Sequence, residues 1–340
     1  MDFTAYGVDT AKNVFQVYSV EQATGEILNK QIKRAKFLEY FVNKPPCLIG
    51  MEACGGSQHW ARALQAMGHM IKMMPGKTVK AFVSGNKNDA ADARAIWLAL
   101  QQPGVRAVAV KSEMQQAVLS LHRMRQQLVK FRTMQSNGLR GLLGEYGEVM
   151  PIGRTALNRG MKDALARLAE RLPALLIDTL REQWDMLSKL DQQILQIEQR
   201  LLEWMRQDQA CKVIAKIPGV GLLTATAAVA TMGDAKTFKS GREFAAWLGL
   251  VPAQSGTGGK VRLLGISKRG DTYLRTLLTH GARSVLTHTK DPGKWLQDIG
   301  KRRPLNVVVV ALANKMARMI WALLAHGREY DGMHVSVRPA

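Results

Sequence analysis

Four acidic residues in the first third of the chain have the types and spacing to bind a divalent metal ion. Asp9 and Glu52 each end a short apolar run that predicts a buried strand. Asp89 and Asp92 are separated by one helical turn, which places both carboxylates on one face of a predicted helix. Carboxylate oxygens suit Mg²⁺, and two such ions about 4 Å apart hold the attacking and leaving oxygens of a phosphodiester. We therefore predict a Mg²⁺ site for phosphodiester chemistry.

Each acid taken alone has an ordinary structural explanation. An Asp at the end of a strand commonly forms a turn or caps a helix, and an Asp pair on a helix is commonly a solvated face. The composition favours the joint interpretation, because the chain has 27 Asp and Glu against 48 Lys and Arg. In so basic a chain, acids within apolar strand contexts call for a functional explanation.

The net charge identifies nucleic acid as the leading partner. The formal charge is +21 over 340 residues, and the sequence pI is about 10.1. Residues 212–340 hold 20 Lys and Arg against 7 Asp and Glu, so most of the excess lies there. Lys and Arg that neutralise phosphates release condensed counterions, which favours binding. We expect the C-terminal part to bind the nucleic-acid backbone most strongly.

Other classes of site and location are disfavoured by the remaining composition. The three cysteines form no CxxC pair and no HExxH motif is present, which argues against zinc and for a reducing bacterial cytoplasm. The first residues lack the pattern of a secretory signal. The most apolar stretch, 305–324, is interrupted by Lys315 and Arg318, so we expect no membrane span. The protein is expected to act in the cytoplasm, at the nucleoid.

The N-terminal part alternates strand-like and helix-like segments. Three strands in succession, followed by alternating helices and strands, predict a mixed sheet covered on both faces. This order resembles the ribonuclease-H-like nucleases, including the Holliday junction resolvases, in which acids lie on the first strand and at the end of the fourth. The predicted strands are Thr4–Val8, Val14–Val20, Ile27–Ile32, Cys47–Met51 and His69–Met74, and the predicted helices are 35–43 and 59–67.

The middle of the chain, from about 110 to 208, is predicted to be helical. An apolar seam from Leu187 to Trp204 recurs at alternating spacings of three and four residues and must be buried against another helix. Two interpretations stay open, a coiled-coil stalk for dimerisation and an intramolecular bundle. An earlier helical stripe carries Arg123 and Arg125 on a basic face, which either contacts nucleic acid or is solvated.

The last part opens with a glycine turn. Ile217 to Gly221 reads Ile-Pro-Gly-Val-Gly before a helix of small residues, which is similar to a helix-hairpin-helix. Gly219 and Gly221 would let backbone N–H groups approach a phosphate. A plain turn between helices is the alternative, and the surrounding positive charge favours phosphate contact.

A glycine-rich segment, 253–260, contains Ser255 and precedes a basic run. A serine among glycines is ordinarily part of a loop, and no base for its activation stands nearby in the sequence. The basic residues are candidates for contact with the nucleic-acid backbone. They are Lys260, Arg262, Lys268, Arg269 and Arg275.

Taken in order, these motifs resemble the DEDD transposases of the IS110 insertion-sequence family. The resemblance covers roughly residues 4 to 325 and is weakest in the helical middle. The matching motifs are Gly7–Lys12, Glu52–Ala53, Asn86–Arg94, Ile217–Gly221, Phe244–Pro252 and Ser255–Gly256.

The resemblance implies a recombinase guided by a non-coding RNA that pairs with donor and target DNA. It implies that Asp9, Glu52, Asp89 and Asp92 bind Mg²⁺ and that Ser255 attacks the DNA backbone. It further implies a homodimer or homotetramer in which acids of one subunit meet the serine of another. One departure is that Ala-Cys-Gly-Gly follows Glu52, where the family commonly has a threonine. This departure removes the threonine hydroxyl that would contact the substrate, and it leaves the four acids of the metal site unchanged.

The predicted fold is therefore α/β plus all-α. A ribonuclease-H-like, resolvase-like domain spans 1–108, a helical coiled-coil region spans 109–210, and a mostly helical domain with the helix-hairpin-helix-like segment spans 211–330. Residues 331–340 form a tail. Two other functions stay open, a metal-dependent junction nuclease without a covalent intermediate and a non-enzymatic RNA-binding scaffold.

Overall fold

A computed structural model describes residues 3–85 and 88–332. Most of the predicted tail, and Asn86 and Lys87 of the sequence motif, lie outside the described residues. The chain divides into two compact units, Met1–Glu113 and Met114–Ala340. The predicted boundary at 108 lies near this division, whereas the predicted boundary at 210 falls inside the second unit.

The first unit is a mixed α/β structure built on a five-stranded sheet in the order β3-β2-β1-β4-β5. Strands β1, β2 and β3 pair antiparallel, and β4 and β5 continue the sheet in parallel to β1. This order is consistent with the ribonuclease-H-like arrangement. Its elements are β1 (Ala5–Thr10), β2 (Val14–Val20), β3 (Ile27–Lys33), α1 (Phe37–Val42), β4 (Leu48–Glu52), α2 (Ser57–Ala66), β5 (Met70–Met74), α3 (Gly76–Lys80) and α4 (Asp89–Leu100).

The alternation of side chains along the strands creates a core on each face of this sheet. Val8 and Phe15 point into a core with Phe37 and Trp60 of α1 and α2. On the other face, Ile96 of α4 belongs to a separate core cluster. Cover on both faces confirms the predicted layering, and each strand agrees with its predicted range to within two residues at either end.

The described part of the second unit, up to residue 332, contains helices and one β-hairpin. Two long helices, α5 and α7, precede a cluster of shorter helices around the central α13. The elements are α5 (Glu113–Glu145), α6 (Arg154–Ala169), α7 (Ala174–Gln207), α8 (Gln209–Ala215), α9 (Leu222–Met232), α10 (Gly241–Trp247), β6 (Pro252–Thr257), β7 (Lys260–Ile266), α11 (Thr272–His288), α12 (Gly293–Arg302) and α13 (Leu305–His326).

The apolar seam of α7 is buried inside this unit. Leu187 and Leu190 pack with Leu139 and Leu143 of α5, and farther along the seam Leu201 packs with α5 and α9 residues. Packing within one chain supports the intramolecular alternative for this seam.

Helix α13 has the length and apolar composition of a membrane span. Seven of its residues, including Leu312, Met316 and Ile320, are buried in the second unit. Its packing is that of a core helix, because α13 packs against α8, α10 and α11, and its buried side chains belong to the core of this unit.

The glycine-rich segment at 253–260, interpreted from sequence as a loop, forms a β-hairpin instead. Thr257 of β6 pairs with Lys260 of β7 across a turn made of Gly258 and Gly259. Both glycines have positive φ, 55° and 79°, which side chains with a Cβ rarely adopt. Two such glycines close a two-residue turn that matches the twist of paired strands, so the hairpin signal was present in the sequence.

Candidate active site

The topology of the first unit brings Asp9 and Glu52 together. Strands β1 and β4 are parallel neighbours, with Val8 in register with Met51. Asp9 and Glu52 each come one position later, so both carboxylates leave the same end of the sheet. Gly7 and Gly50, two residues earlier on each strand, face α4, and the period of two places both acids on that face.

Helix α4 brings the other two acids towards the same end of the sheet. Its C-terminal half is tied to the start of β1, where the Trp97 indole Nε1 donates to the Ala5 carbonyl at 3.1 Å. Farther towards its N-terminus, Ala93 lies against Gly7. The helix therefore runs opposite to β1, and its first turn, with Asp89 and Asp92, approaches the end of the strand that carries Asp9.

The first turn of α4 is held in place by a cap. The Asn88 side chain accepts a hydrogen bond from the Ala91 N–H at 2.7 Å, which satisfies a free donor of the helix N-terminus. Because this cap is supplied by Asn88, Asp89 and Asp92 are not needed for it. The alternative raised from sequence for this pair, a solvated helix face, agrees with the exposure of Asp89 and is not affected by this cap.

The pKa of Asp9 reflects its burial and the proximity of the other three acids. Burial raises the pKa of Asp9, and the nearby carboxylates of Asp92, Asp89 and Glu52 raise it further, to about 6. A hydrogen bond from the Thr10 backbone acts in the opposite direction. Like charges disfavour one another's ionised forms, so this site favours a bound cation.

The described residues do not form a ready-made metal group. Within 3–85 and 88–332, no three or more His, Cys, Asp or Glu side chains lie close enough together to hold an ion. Within the same ranges, none of the four acids forms an ion pair with Lys or Arg. The chemistry of the donors and their uncompensated charge fit a divalent metal, although the carboxylates stand apart.

Two neighbours of the acids were missed by sequence reasoning. Gly76, the first residue of α3, touches the Glu52 side chain so closely that a Cβ there would lie 2.9 Å from Cδ of Glu52. The Thr10 hydroxyl lies 3.4 Å from Sγ of Cys54, in the loop that follows β4. Thr10 thus places a hydroxyl beside the loop in which the family's threonine is absent.

Ser255 lies in the second unit, on the exposed strand β6. Its register partner across the hairpin is Arg262 of β7, and Lys260 stands opposite Thr257. Ser255, Lys260 and Arg262 are all exposed. A serine hydroxyl flanked by cations is thereby presented to solvent on a regular strand.

Of the remaining basic candidates, two are exposed and one has a structural role inside the protein. Lys268 and Arg269 are exposed, and Lys268 has a φ of 51°, which a non-glycine residue rarely adopts. Arg275, in contrast, is only 8% exposed. Its guanidinium donates to the carbonyls of Leu248 at 2.8 Å and Arg269 at 2.7 Å. Arg275 therefore holds this loop together, and the expectation of phosphate contact is better met by its exposed neighbours.

The two glycines of the Ile-Pro-Gly-Val-Gly turn also differ. Gly219 has a φ of 84°, and a Cβ there would lie 2.7 Å from the Gly281 carbonyl oxygen. Gly219 thus allows α11 to approach the turn, which is a packing role. Gly221 precedes α9 and has open space around the position of a Cβ, so phosphate contact is sterically possible there.

On the long helix α5, Arg123 is exposed, whereas Arg125 is engaged within the chain. Arg125 forms an ion pair with Glu198 of α7 at 2.7 Å. Next to it, His122 is buried and was not singled out from the sequence. Its Nδ1 lies 2.9 Å from the Tyr273 hydroxyl and its Nε2 lies 3.0 Å from the Thr226 hydroxyl.

His122 is uncharged in this network. The Thr226 hydroxyl donates to the Leu222 carbonyl at 2.7 Å, which leaves it an acceptor for the His122 Nε2–H. Burial lowers the pKa of His122, and the positive charge of Arg125 lowers it further, to about 4. A neutral imidazole therefore joins α5, α9 and α11.

Comparison with known proteins identifies the class. Residues 6–148 match a DEDD transposase family, and residues 211–296 match the "Transposase IS116/IS110/IS902 family". The chain is 46% identical over 330 residues to a "Probable family 20 transposase" of Pseudomonas aeruginosa, covering 96% of this chain and 98% of that protein.

Two further relatives are transposases of named elements. The chain is 39% identical to the "Transposase for insertion sequence element IS1111A" of Coxiella burnetii, over 97% of this chain and 92% of the relative. It is 36% identical to the corresponding protein of element IS1328 from Yersinia enterocolitica, over 96% and 98%. The class is therefore that of insertion-sequence transposases. Within it, the chain belongs to the IS116/IS110/IS902 family, which confirms the resemblance found in the sequence.

Proposed function

We propose that this transposase cuts and rejoins DNA by transesterification, with Mg²⁺ at its four acids and Ser255 as the nucleophile. The observation that carries the proposal is the placement of Asp9, Glu52, Asp89 and Asp92 at one end of the sheet, where burial and then the three neighbouring carboxylates raise the pKa of Asp9. Family membership and the exposed, cation-flanked Ser255 support it. Repulsion among unpaired acids is a destabilising arrangement that a divalent ion relieves.

The four acids would hold the metal through carboxylate oxygens, the ligands that Mg²⁺ prefers. When bound, Mg²⁺ supplies positive charge that stabilises the reacting phosphate oxygens. The chain's own contribution is to aim the carboxylates. The β1 and β4 register fixes Asp9 and Glu52, and the capped α4 fixes Asp89 and Asp92.

In the proposed reaction, Ser255 Oγ attacks a DNA phosphorus atom and forms a phosphoserine ester. The bond from phosphorus to one deoxyribose oxygen breaks, that oxygen takes up a proton, and the serine proton passes to solvent. The second transfer reverses these bonds with another DNA end, so no external energy is needed. Arg262 and Lys260 provide positive charge beside the attacking oxygen.

The partners in this proposal are donor and target DNA and a non-coding guide RNA. The net charge of +21 supports many phosphate contacts. The surface proposed for them comprises Lys260, Arg262, Lys268, Arg269, Arg123 and the backbone at Gly221. A homodimer or homotetramer, in which the acids of one subunit serve the serine of another, is proposed from the family resemblance.

The decisive experiment incubates the protein with its copurifying RNA, Mg²⁺ and end-labelled DNA, and looks for a protease-sensitive protein–DNA adduct. Wild-type protein and Thr257→Ala should form the adduct, whereas Ser255→Ala should form none. Thr257 is the matched control, since it is an exposed hydroxyl on the same strand. A normal yield of adduct from Ser255→Ala would remove Ser255 from the mechanism.

A junction nuclease without a covalent intermediate is the second candidate. It is favoured by the placement of all four acids in a unit that does not contain Ser255. In the same experiment, free nicked ends that depend on Asp9 but not on Ser255 would establish the nuclease. Neither adduct nor nicks, with RNA still bound, would establish the RNA-binding scaffold.

Mixing of subunits tests whether the active site is shared. Ser255→Ala protein and Asp9→Ala protein are each expected to be inactive, but their mixture should regain part of the activity. A mixed assembly pairs intact acids of one subunit with an intact serine of another. Absence of rescue, when differently tagged subunits are shown to exchange, would mean that each subunit uses only its own residues.

A further inference from the structure

A cleft of about 660 Å³ opens at one corner of the sheet in the first unit, beside the turn between β1 and β2. Its volume lies within the range of sites that bind small molecules and single nucleotides. Its floor is apolar and its rim is polar and cationic. The floor is formed by Val14, Leu38 and Trp60, and the rim by Asn13, Lys33 and Arg34.

The rim is held in shape by backbone contacts between the turn and the end of β3. The Arg34 N–H donates to the Asn13 carbonyl at 2.9 Å, and the Arg34 guanidinium donates to the Lys12 carbonyl at 3.4 Å. That guanidinium lies 5.0 Å from the centre of the Trp60 ring. Arg34 is exposed, so its guanidinium lies beside an aromatic ring while part of the side chain remains accessible to solvent.

The positive charge of this rim is not neutralised by a carboxylate of the described residues. Across residues 3–85 and 88–332, no carboxylate pairs with Lys12, Lys33 or Arg34. Two cations in the cleft lining, Lys33 and Arg34, beside apolar side chains complement a phosphate attached to a flat apolar group.

The cleft lies at the same end of the sheet as the four acids. Strand register pairs Thr10, which follows Asp9, with Phe15 of β2, and pairs Val14 with Lys33 of β3. Adjacent strands are about 4.8 Å apart, so the cleft is one to two strand widths from Asp9. Trp60 and Leu38 of its lining belong to or pack on the core opposite to α4, so the cleft lies on the face of the sheet opposite to the one that carries the acids.

We propose that this cleft binds one unpaired nucleotide of a nucleic-acid strand. The base lies against the Arg34 guanidinium and the apolar floor, and an adjacent phosphate contacts Lys33. Guanidinium planes stack with bases, and only an unstacked base reaches such a surface. The inference rests on the proposed function, since it assigns the cleft to the strand that the acids process. DNA and RNA strands share this chemistry.

The test measures binding of the full-length protein, in chelator, to a fluorescently labelled single strand of DNA, the same sequence as RNA, and the DNA duplex. Arg34→Lys keeps the charge but removes the stacking plane. We expect it to weaken binding of a single strand roughly fivefold or more and to leave duplex binding nearly unchanged. Lys33→Ala should weaken single-strand binding as well.

The matched control is Lys30→Ala, which removes the same charge from β3 about 10 Å from Lys33. Lys30 is exposed and lies outside the lining of this cleft. Loss by Lys33→Ala but not Lys30→Ala supports the cleft, and a loss confined to DNA or to RNA identifies the strand it binds. Unchanged single-strand binding by Arg34→Lys, or equal losses for duplex and single strand, would overturn the proposal.

Failure of this inference is distinguishable from failure of the proposed function. Binding is measured without metal and without cleavage, whereas the adduct is measured with Mg²⁺. If wild-type protein forms the adduct and the Arg34→Lys variant binds single strands normally, the cleft proposal alone is rejected. Loss of single-strand binding in that variant, with no adduct from wild-type protein, would reject the serine chemistry alone.

Discussion

Gly7 of β1 lies directly opposite Gly50 of β4 in the parallel register, and helix α4 packs against both. A Cβ at Gly7 would lie 2.6 Å from the Trp97 backbone nitrogen and 2.8 Å from Trp97 Cβ. At Gly50 the nearest atoms are side-chain carbons of Leu100, Met74 and Ile96, at 3.1 to 3.3 Å. The paired glycines let α4 approach the sheet, and this approach brings Asp89 and Asp92 to Asp9.

Gly7→Ala should therefore displace α4 and impair the acid site. The added methyl meets helix backbone, which does not move aside as a flexible side chain does. We expect a loss of about 1–3 kcal/mol in the free energy of unfolding, together with reduced cleavage of DNA. Chemical denaturation and the adduct assay measure the two effects.

Gly104→Ala is the control for this substitution, because nothing lies within 4 Å of the position of a Cβ at Gly104. It should leave both stability and cleavage close to wild type. Wild-type stability in Gly7→Ala would contradict the close packing of α4 on β1.

Asp9→Asn should stabilise the metal-free protein at neutral pH. The pKa of Asp9 is raised from 3.8 to about 6 in the folded state, so folded protein binds more protons than unfolded protein between these values. The ionised carboxylate thus lowers stability as pH rises through this window. Discounted for partial exposure, the gain is on the order of 1 kcal/mol, or about 2–4 °C in melting temperature.

Thermal melts of wild type and Asp9→Asn in chelator, at pH 4 and pH 7, measure this effect as a difference in melting temperature. The advantage of Asp9→Asn over wild type should be small at the lower pH and larger at the higher pH. Adding Mg²⁺ should stabilise wild type more than the variant. An advantage that is independent of pH would mean that Asp9 is not electrostatically stressed by its neighbours.

His122 should give the opposite pH dependence. Its pKa is lowered from 6.5 to about 4 in the folded state, so unfolded protein binds the proton first as pH falls. Stability from this residue is present above pH 6.5 and is lost between 6.5 and about 4, by at most about 3 kcal/mol. His122→Gln, which does not titrate, should be less stable than wild type at pH 7.

The stability difference between wild type and His122→Gln should shrink as pH falls, which urea denaturation at several pH values detects. Each value is the free energy of unfolding of the variant subtracted from that of wild type. A difference that stays constant down to pH 4 would show that His122 takes up a proton equally in both states.

Arg275 and Arg269 should separate folding from binding. Arg275→Gln removes donors to the buried Leu248 carbonyl and the partly buried Arg269 carbonyl, and loss of such charge-assisted bonds is expected to destabilise the protein by about 2–3 kcal/mol. Arg269→Gln removes an exposed charge, so it should change stability little and weaken nucleic-acid binding. Melting temperature and binding at low salt distinguish them, and equal effects on both quantities would contradict this division.

Local patterns in the sequence determined the elements of the first unit and the identity of its acids. The apolar periods of strands and helices are set by residues close together in the sequence, so these periods predicted all five strands of the sheet. Asp9 and Glu52 were recognised because acids are scarce in this basic chain. The ordered motifs were enough to recognise the family. The β6–β7 hairpin was missed, although its Gly258-Gly259 turn is a local signal, because its exposed strands lack a buried alternating face.

Only the tertiary structure decided which residues meet. Arg269 and Arg275 look equivalent in the sequence, yet one is exposed and the other is buried against two carbonyls. The approach of Asp92 to Asp9 depends on α4 seating on Gly7, a contact between residues more than eighty positions apart. Such contacts follow from strand register and from the packing of whole elements. A local sequence pattern specifies neither the register nor the packing.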